Sequence, residues 1–248
     1  MNPTGSRGTL PRNSTEKLIL ALDGPNMVEN IRLANLLREH VRIFKIGLTA
    51  FAAAGEDLVS TIRGMEREVF LDLKLFDIPH QVAGVCREIT KMAVKMFTIH
   101  LFGGIDMMKK AVETAREEAE SLGLKSPLVV GVTVLTSLNE SDLHEMGVSR
   151  GLREEVLYLS TQAKKAGLDG VVASPHEIEA IKEACGRDFL VIVPGVRVGG
   201  ASSDDQKRVL TPREAIDRGA DYIVVGRPIT QAPEPLAAAR NLLRDING

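Results

Sequence analysis

The stretch LILALDGPNMVENIRLANLLREH, residues 18–40, contains one complete structural unit of this chain. It opens with a short aliphatic run, LILALD (18–23), and continues into MVENIRLANLLREH (27–40), where apolar residues recur at helical spacing. A continuously apolar run predicts a strand buried on both faces, and an amphipathic segment of this length predicts a helix on the outside. We therefore interpret residues 18–40 as a β-strand followed by an α-helix.

Seven further apolar runs follow, and the segments between them, such as MMKKAVETAREEAESLG (107–123), again show helical spacing. The runs are RIFKIG (42–47), VFLDLK (69–74), MFTIH (96–100), LVVGVTV (128–134), GVVAS (170–174), FLVIVPG (189–195) and DYIVVG (221–226). Eight β/α alternations without a break in composition favour a single-domain (β/α)8 TIM barrel. An open, doubly wound sheet is the alternative.

Local signals add detail to this pattern. Ser174-Pro-His-Glu177 and Thr211-Pro-Arg-Glu214 each place a hydroxyl, a proline and a glutamate as at the start of a helix. The longest irregular stretches, residues 135–149 and 197–210, follow the fifth and seventh runs. Because loops of that length in a compact domain are usually functional, we predict that they are binding loops or lids.

Composition limits the possible functions. The 248 residues are 44% hydrophobic and carry 31 basic and 33 acidic side chains, a formal charge of −2. With both signs interspersed, no overall field attracts nucleic acid or an acidic membrane surface. Residues 1–16 are polar and lack the apolar core of a signal peptide, so we predict a flexible tail followed by a barrel domain over 17–248.

Cysteine usage and hydropathy place the protein in the cytoplasm. Cys86 and Cys185 lie far apart in the sequence and form no zinc or redox motif, which favours a reducing compartment. His80, His144 and His176 do not have metal-binding spacing either. The sequence contains no run of 18 apolar residues, so we predict no membrane helix. We expect no metal, no nucleic acid and no membrane partner.

Three charged residues lie inside two of the apolar runs. Asp72 and Lys74 are two positions apart on a strand and should point to the same side, where Lys45 of the neighbouring strand can join them. A buried charge is costly unless it is paired, so these residues are the least expected in such runs. A structural salt bridge is one interpretation, and a catalytic cluster at the active-site end of the barrel is the other.

A phosphate site is predicted on the other side of the same mouth. The eighth run ends in Gly226-Arg227-Pro228, and Gly195 and Arg197 follow the seventh. Loops after the seventh and eighth strands commonly bind phosphate in this fold, and arginine adds charge-assisted hydrogen bonds. His100 and Ser174 also end predicted strands, but we interpret His100 as structural and Ser174 as a helix cap.

These motifs resemble those of the orotidine 5′-phosphate decarboxylases, specifically the bacterial branch. The resemblance spans about residues 18–243, and its most specific segment is Asp72-Leu-Lys74-Leu-Phe-Asp77-Ile-Pro79. Other matching segments, in family order, are Leu-Ala-Leu-Asp23, Phe-Lys45-Ile-Gly, Val-Thr-Val-Leu-Thr136-Ser, Gly-Leu-Asp-Gly-Val-Val (167–172), Val-Pro-Gly-Val-Arg197 and Val-Val-Gly226-Arg227-Pro-Ile-Thr.

The resemblance implies decarboxylation of orotidine 5′-phosphate to UMP, in de novo pyrimidine biosynthesis, without metal or organic cofactor. Lys74 would stabilise charge at C6 and donate the proton there, with Asp72 beside the departing carboxylate. Lys45 would bridge Asp72 and the ribose. Asp77 would reach the partner's active site in a homodimer.

The resemblance also implies a set of substrate contacts. Asp23 would accept a ribose hydroxyl. The nucleotide would be contacted by Ile78, Gln81, Thr136 and Pro194, although many bacterial relatives carry Thr in place of Gln81. The phosphate would be held by Arg197, Gln206, Gly226 and Arg227.

Two rival functions share parts of this pattern. A magnesium-dependent sugar-phosphate decarboxylase or aldolase of the same barrel superfamily would use the carboxylates to hold the metal. Lys45 argues against it, since a second ammonium would occupy the position of the cation. A non-catalytic nucleotide-binding protein would keep the phosphate site without turnover. The presence of all four charged residues, Lys45, Asp72, Lys74 and Asp77, argues against that.

Overall fold

The fold is a closed barrel of eight parallel strands in sequential order, seen in a computed structural model that describes residues 13–196 and 210–247. The strands are β1 (Leu18–Leu22), β2 (Ile43–Gly47), β3 (Glu68–Leu75), β4 (Met96–His100), β5 (Leu128–Val132), β6 (Gly170–Val172), β7 (Leu190–Pro194) and β8 (Tyr222–Val225). The last strand pairs with the first, Leu18 opposite Ile223, which closes the sheet. This pairing confirms the barrel and excludes the open sheet.

One short helix precedes β1, and helices follow the strands around the barrel. They are α1 (Ser14–Lys17), α2 (Met27–Leu37), α3 (Leu48–Gly64), α4 (Pro79–Lys91), α5 (Gly104–Ser121), α6 (Glu140–Glu145), α7 (Leu152–Ala166), α8 (Ile178–Cys185), α9 (Pro212–Asp217), α10 (Arg227–Thr230) and α11 (Pro235–Asn247). None of the helices in the described ranges combines the length and hydropathy needed to cross a bilayer.

The apolar runs are buried on both faces because two layers of core enclose them. One layer fills the inside of the barrel, with Phe70, Met96, Ile192 and Tyr222 among its members. The other lies between the strands and the surrounding helices. Strands enclosed in this way need apolar side chains at successive positions, which explains the continuous runs in the sequence.

Some local predictions are confirmed and one is wrong. Thr211 caps α9 in a capping box with Glu214. However, α8 begins at Ile178, and Ser174 does not cap it. The Glu177 N–H donates to the Ser174 carbonyl, which closes a turn over residues 174–177 before the helix can start.

The predicted loops and tail fall partly outside the described residues. Residues 135–149 include the short helix α6, and 197–209 are not described. In the predicted tail, Ser14–Glu16 belong to α1, because the side chain of Asn13 accepts a hydrogen bond from the Glu16 N–H and caps that helix.

Candidate active site

Four charged side chains form an alternating chain at the carboxyl ends of β1, β2 and β3. Lys45 Nζ lies 2.8 Å from Asp23 Oδ1 and 3.4 Å from Asp72 Oδ2. Lys74 Nζ lies 2.9 Å from Asp72 Oδ1. The order is therefore Asp23, Lys45, Asp72, Lys74, with each inner group between two opposite charges. The sequence predicted that Lys45, Asp72 and Lys74 would meet, and parallel strands bring them together because their carboxyl ends lie at one mouth of the barrel. Asp23, which the resemblance implied as a ribose contact, joins them through Lys45.

A bulge in β3 sets the direction of Lys74. Leu71 pairs with Phe97 of β4, whereas Leu75 pairs with Ile99, so three residues of β3 face one residue of β4. Lys74 has a φ of 50°, in the left-handed region that non-glycine residues rarely adopt. Such strain persists only where the surrounding structure holds it, and it concentrates at functional sites.

Thr98 is the one residue of β4 that faces the bulge. Its hydroxyl donates to Asp72 Oδ1 at 3.0 Å and accepts the backbone N–H of Lys74 at 2.8 Å, and the side chain is fully buried. Sequence reasoning missed this residue. The signal was a hydroxyl in the middle of the apolar run MFTIH, next to the strand that carries the charges.

Asp72 is held as a carboxylate despite its burial. Its side chain is only 12% exposed. Burial raises the pKa of Asp72, but the charges of Lys45 and Lys74, together with hydrogen bonds from Lys74 and Thr98, outweigh that effect and bring the pKa below its ordinary value. The site therefore contains a fixed negative charge between two ammonium groups.

Gly47 allows Asp23 and Lys45 to meet. It is the last residue of β2, and a Cβ atom there would lie 2.7 Å from Asp23 Oδ1 and 3.0 Å from Lys45 Nζ. Both distances are shorter than a normal van der Waals contact. A larger residue in place of Gly47 would therefore displace the ends of the Asp23 and Lys45 side chains from their present positions.

His100 ends β4 beside Lys74 and lies between two aromatic rings. Its ring centroid is 5.7 Å from that of Phe76 and 5.6 Å from that of Phe102, with which it stacks. Burial and the nearby charge of Lys74 lower the pKa of His100, which favours the neutral imidazole. The surroundings agree with the structural role expected from the sequence.

Asp77 does not join the charge chain within its own subunit. It is exposed after β3, and its carboxylate accepts the N–H of Ile78 at 2.6 Å. No ion pair links it to Lys74 among the described residues. Ile78 caps α4 and is 63% exposed, and Gln81 lies in the first turn of that helix. Thr136 is exposed in the turn after β5.

The predicted phosphate residues are only partly described. Gly226 precedes α10, and Arg227, the first residue of that helix, is exposed. Pro194 ends the neighbouring strand β7. A Cβ atom at Gly226 would lie 3.8 Å from Asp23 Oδ2, so this end of β8 borders the charge chain. Arg197 and Gln206 lie outside the described residues.

The carboxylates of the site are arranged for ammonium groups. Lys74 and Lys45 lie against the two oxygens of Asp72, at 2.9 and 3.4 Å. Across residues 13–196 and 210–247, no three His, Cys, Asp or Glu side chains gather as metal ligands would. What this site can do chemically is hold an anionic substrate, stabilise negative charge that develops beside Lys74, and supply a proton from its ammonium.

Two relatives of similar sequence carry the same name. A chain from Moorella thermoacetica is 45% identical over 235 residues, covering 94% of this chain and 93% of the relative, and is named orotidine 5′-phosphate decarboxylase. A chain of the same name from Geotalea daltonii is 47% identical over 230 residues, covering 93% and 95%.

Solved structures agree with the fold. A crystal structure of orotidine 5′-phosphate decarboxylase from Lactobacillus acidophilus matches with a TM-score of 0.82 and 33% identity, over 93% of this chain and 99% of that chain. The sequence model of the "Orotidine 5'-phosphate decarboxylase / HUMPS family" matches residues 16–242. This chain therefore belongs to the orotidine 5′-phosphate decarboxylase / HUMPS family.

Proposed function

We propose that this protein removes CO2 from C6 of orotidine 5′-phosphate to give UMP, with Lys74 as electrostatic stabiliser and proton donor. The observation that carries the proposal is the alternating chain of Asp23, Lys45, Asp72 and Lys74 at the mouth of the barrel. The names of the relatives at 41–47% identity support the same substrate.

The reaction needs little besides charge and one proton. The bond between C6 and the carboxylate carbon breaks, CO2 leaves, and the electron pair stays on C6. The ammonium of Lys74 stabilises that pair and then transfers a proton to C6, after which the neutral amine takes a proton from water. Lysine suits this step because, unlike arginine, it can give up its proton.

Fixed charges fit the size of the barrier. Enzymes at the demanding end must lower a barrier by about 20 kcal/mol, which favours charges that are in place before the reaction begins. Two unit charges about 4 Å apart interact by roughly 4 kcal/mol at an effective dielectric constant near 20. Asp72 therefore attracts the ammonium of Lys74 and holds it in position before the bond breaks, and it lies beside the departing carboxylate.

The remaining predicted residues bind the nucleotide. Asp23 and Lys45 hold the ribose hydroxyls, and Thr136, Ile78, Gln81 and Pro194 contact the nucleotide. Gly226 and Arg227 bind the phosphate, together with Arg197 and Gln206. This assignment is supported by the position of Gly226 next to Asp23, which suits a substrate whose phosphate is esterified to its ribose. Binding energy from the phosphate can then be used at C6.

The reaction proceeds without a metal ion or an organic cofactor. Lys45 and Lys74 already occupy both oxygens of Asp72, so a divalent cation there would face two ammonium groups. This arrangement favours the decarboxylase over a magnesium-dependent sugar-phosphate enzyme of the same superfamily.

The active unit is a cytoplasmic homodimer in which Asp77 enters the partner's site. Asp77 is exposed in its own subunit, and its neighbours Phe76 and Ile78 are 64% and 63% exposed. Large apolar side chains exposed next to a functional segment are typical of surfaces that another subunit covers.

The decisive assay follows the ultraviolet absorbance of orotidine 5′-phosphate with EDTA present. Wild-type protein should convert it to UMP, and Lys74→Ala should lower kcat by more than about 10³-fold while still binding 6-substituted UMP analogues. Lys95→Ala is the matched control, since Lys95 is also paired with a carboxylate, Glu68, but at the opposite end of the barrel. Loss of wild-type turnover in EDTA, or substantial turnover by Lys74→Ala, would contradict the proposal.

Hybrid dimers test the position of Asp77. Lys74→Ala and Asp77→Ala subunits are each inactive, but mixing them creates dimers in which one of the two sites has both residues intact. Activity should therefore reappear after subunit exchange. If exchange is verified with tagged subunits and no activity returns, Asp77 does not act across an interface.

A further inference from the structure

The bulge in β3 leaves a gap in the hydrogen bonding between two strands, and Thr98 fills it. Between the pairs Leu71–Phe97 and Leu75–Ile99, Thr98 is the only residue on the β4 side. A regular parallel ladder would give the Lys74 N–H a carbonyl partner, but here the Thr98 hydroxyl accepts that N–H at 2.8 Å. A side chain has thus replaced a backbone acceptor at the residue proposed to donate the proton.

The same hydroxyl also reaches the carboxylate that Lys74 contacts. Thr98 Oγ1 donates to Asp72 Oδ1 at 3.0 Å, and Lys74 Nζ lies 2.9 Å from that same oxygen. The backbone N–H of Lys74, the hydroxyl, the carboxylate oxygen and the ammonium therefore form a closed ring. The ring joins the main chain of Lys74 to the end of its own side chain.

We propose that Thr98 is a positioning residue for decarboxylation, whose hydroxyl fixes both the left-handed turn at Lys74 and the direction of its ammonium. This inference rests on the proposed function. Lys74 has a φ of 50°, a sterically unfavourable conformation that persists only if surrounding contacts hold it. Thr98 is fully buried on a strand of the barrel, which makes it a rigid support for that turn.

The electrostatics of Asp72 support this role. The Thr98 hydrogen bond is one of the interactions that lower the pKa of Asp72 against the effect of burial, after the charges of Lys45 and Lys74. A carboxylate that accepts a fixed hydroxyl also keeps a fixed oxygen toward the ammonium. Misplacement of a reacting group by about 1 Å can reduce a rate by about 10²-fold, so the orientation of Lys74 matters as much as its charge.

The test compares substitutions that remove or keep the hydroxyl. Thr98→Val keeps the shape of the side chain and should lower kcat by about 10²-fold with KM changed by less than about threefold, because the phosphate and ribose contacts lie elsewhere. Thr98→Ser keeps the hydroxyl and should retain kcat within about threefold of wild type. Thr114→Val is the matched control, since Thr114 is 1% exposed and its hydroxyl has no partner among the described residues.

Each outcome decides the inference. Equal kcat for Thr98→Val and wild type, or equal losses in Thr98→Val and Thr98→Ser, would overturn it, because the hydroxyl would then be irrelevant. If Thr98→Val does not fold, the pair Thr98→Ser and Thr98→Ala, which differ only in the hydroxyl, gives the same comparison. A wild-type protein that binds UMP but does not decarboxylate would instead overturn the proposed function, and the role of Thr98 with it.

Discussion

The two ends of the barrel use the same kind of ion pair in different ways. At the carboxyl ends of the strands, Asp72 pairs with Lys74 at 2.9 Å, and at the amino ends Asp221 pairs with Lys182 at 2.6 Å. Lys182 also donates to the carbonyls of Arg187 and Phe189, both at 2.9 Å, so all three of its protons have acceptors. Within the described residues, the ammonium of Lys74 has a single hydrogen bond, to Asp72.

The carboxylates differ as well. Asp221 forms an ion pair with Lys182, and burial raises its pKa in spite of the hydrogen bonds from Lys182 and Val191. Asp72 has two lysines and a hydroxyl, which together bring its pKa below the ordinary value although burial acts in the opposite direction. One end therefore holds a saturated pair that joins α8, β7 and β8, and the other holds excess donors that can act on a substrate. We therefore expect stability to depend on the first pair and, under the proposed function, catalysis to depend on the second.

Removing each lysine should separate these roles most clearly. Lys182→Ala should lower the free energy of unfolding by about 3–5 kcal/mol, because it leaves Asp221 buried without the ammonium that is hydrogen-bonded to it, while kcat per folded molecule stays unchanged. Lys74→Ala should change the free energy of unfolding by about 1 kcal/mol or less, since Asp72 keeps Lys45. Urea denaturation followed by circular dichroism measures both, and equal losses would contradict the contrast.

Crowding the catalytic end alone should have the next largest effect. Gly47→Ala places a Cβ atom against Asp23 Oδ1 and Lys45 Nζ and should lower kcat/KM by about 10- to 100-fold by separating them. The control is Gly64→Ala at the end of α3, the helix that follows Gly47 directly, where nothing lies within 4 Å of the new atom. Unchanged kcat/KM in Gly47→Ala would show that the pair tolerates displacement.

The opposite pKa shifts predict opposite dependences of stability on pH. The pKa of Asp72 is lower in the folded state than its ordinary value of 3.8. Its ionised form therefore stabilises the folded state at pH values above 3.8, and that contribution is lost as the pH falls through the folded-state pKa. The pKa of Asp221 is higher in the folded state than its ordinary value of 3.8. Its ionisation therefore reduces stability as the pH rises from 3.8 through the folded-state pKa.

Unfolding in urea at pH 5, 4 and 3 can test this difference. Compared with wild type, the free energy of unfolding of Asp72→Asn should fall less steeply as the pH is lowered, by a difference of about 1 kcal/mol over the range. For Asp221→Asn the fall should be steeper. If the free energy of unfolding of both variants depends on pH as in wild type, the pKa values of the two carboxylates are not shifted in opposite directions.

The smallest expected effect concerns His100. Lys74 lowers the pKa of this imidazole, in addition to the effect of burial, so Lys74→Ala should raise the pKa of His100 toward its ordinary value. The shift can be followed by NMR titration of the five histidines, with His100→Gln to assign the resonance. Lys182→Ala, at the opposite end, should leave that resonance unchanged. An unaltered His100 titration in Lys74→Ala would place the ammonium farther away than the structure has it.

Most of the fold was predictable, because each strand is a separate apolar run. The predicted strands differ from the observed ones by at most two residues at either end, as in β5, predicted over 128–134 and found at Leu128–Val132. The start of α8 was not predictable from Ser174, since serine followed by proline is favoured both at the start of a helix and in the turn that residues 174–177 form. Closure of the sheet was inferred from the number of strands, and pairing of β1 with β8 confirms it.

The sequence alone determined that Asp23, Lys45, Asp72 and Lys74 share one mouth of the barrel, because position along a parallel strand sets the end at which a side chain emerges. Only the tertiary structure decided which oxygen faces which ammonium, that Lys74 adopts a left-handed turn, and that Thr98 holds it. Those features depend on a register shift between β3 and β4 and on distances of a few ångströms, which neighbouring strands set together. For the same reason, Asp72 and Asp221 look alike in the sequence but differ in pKa in the fold.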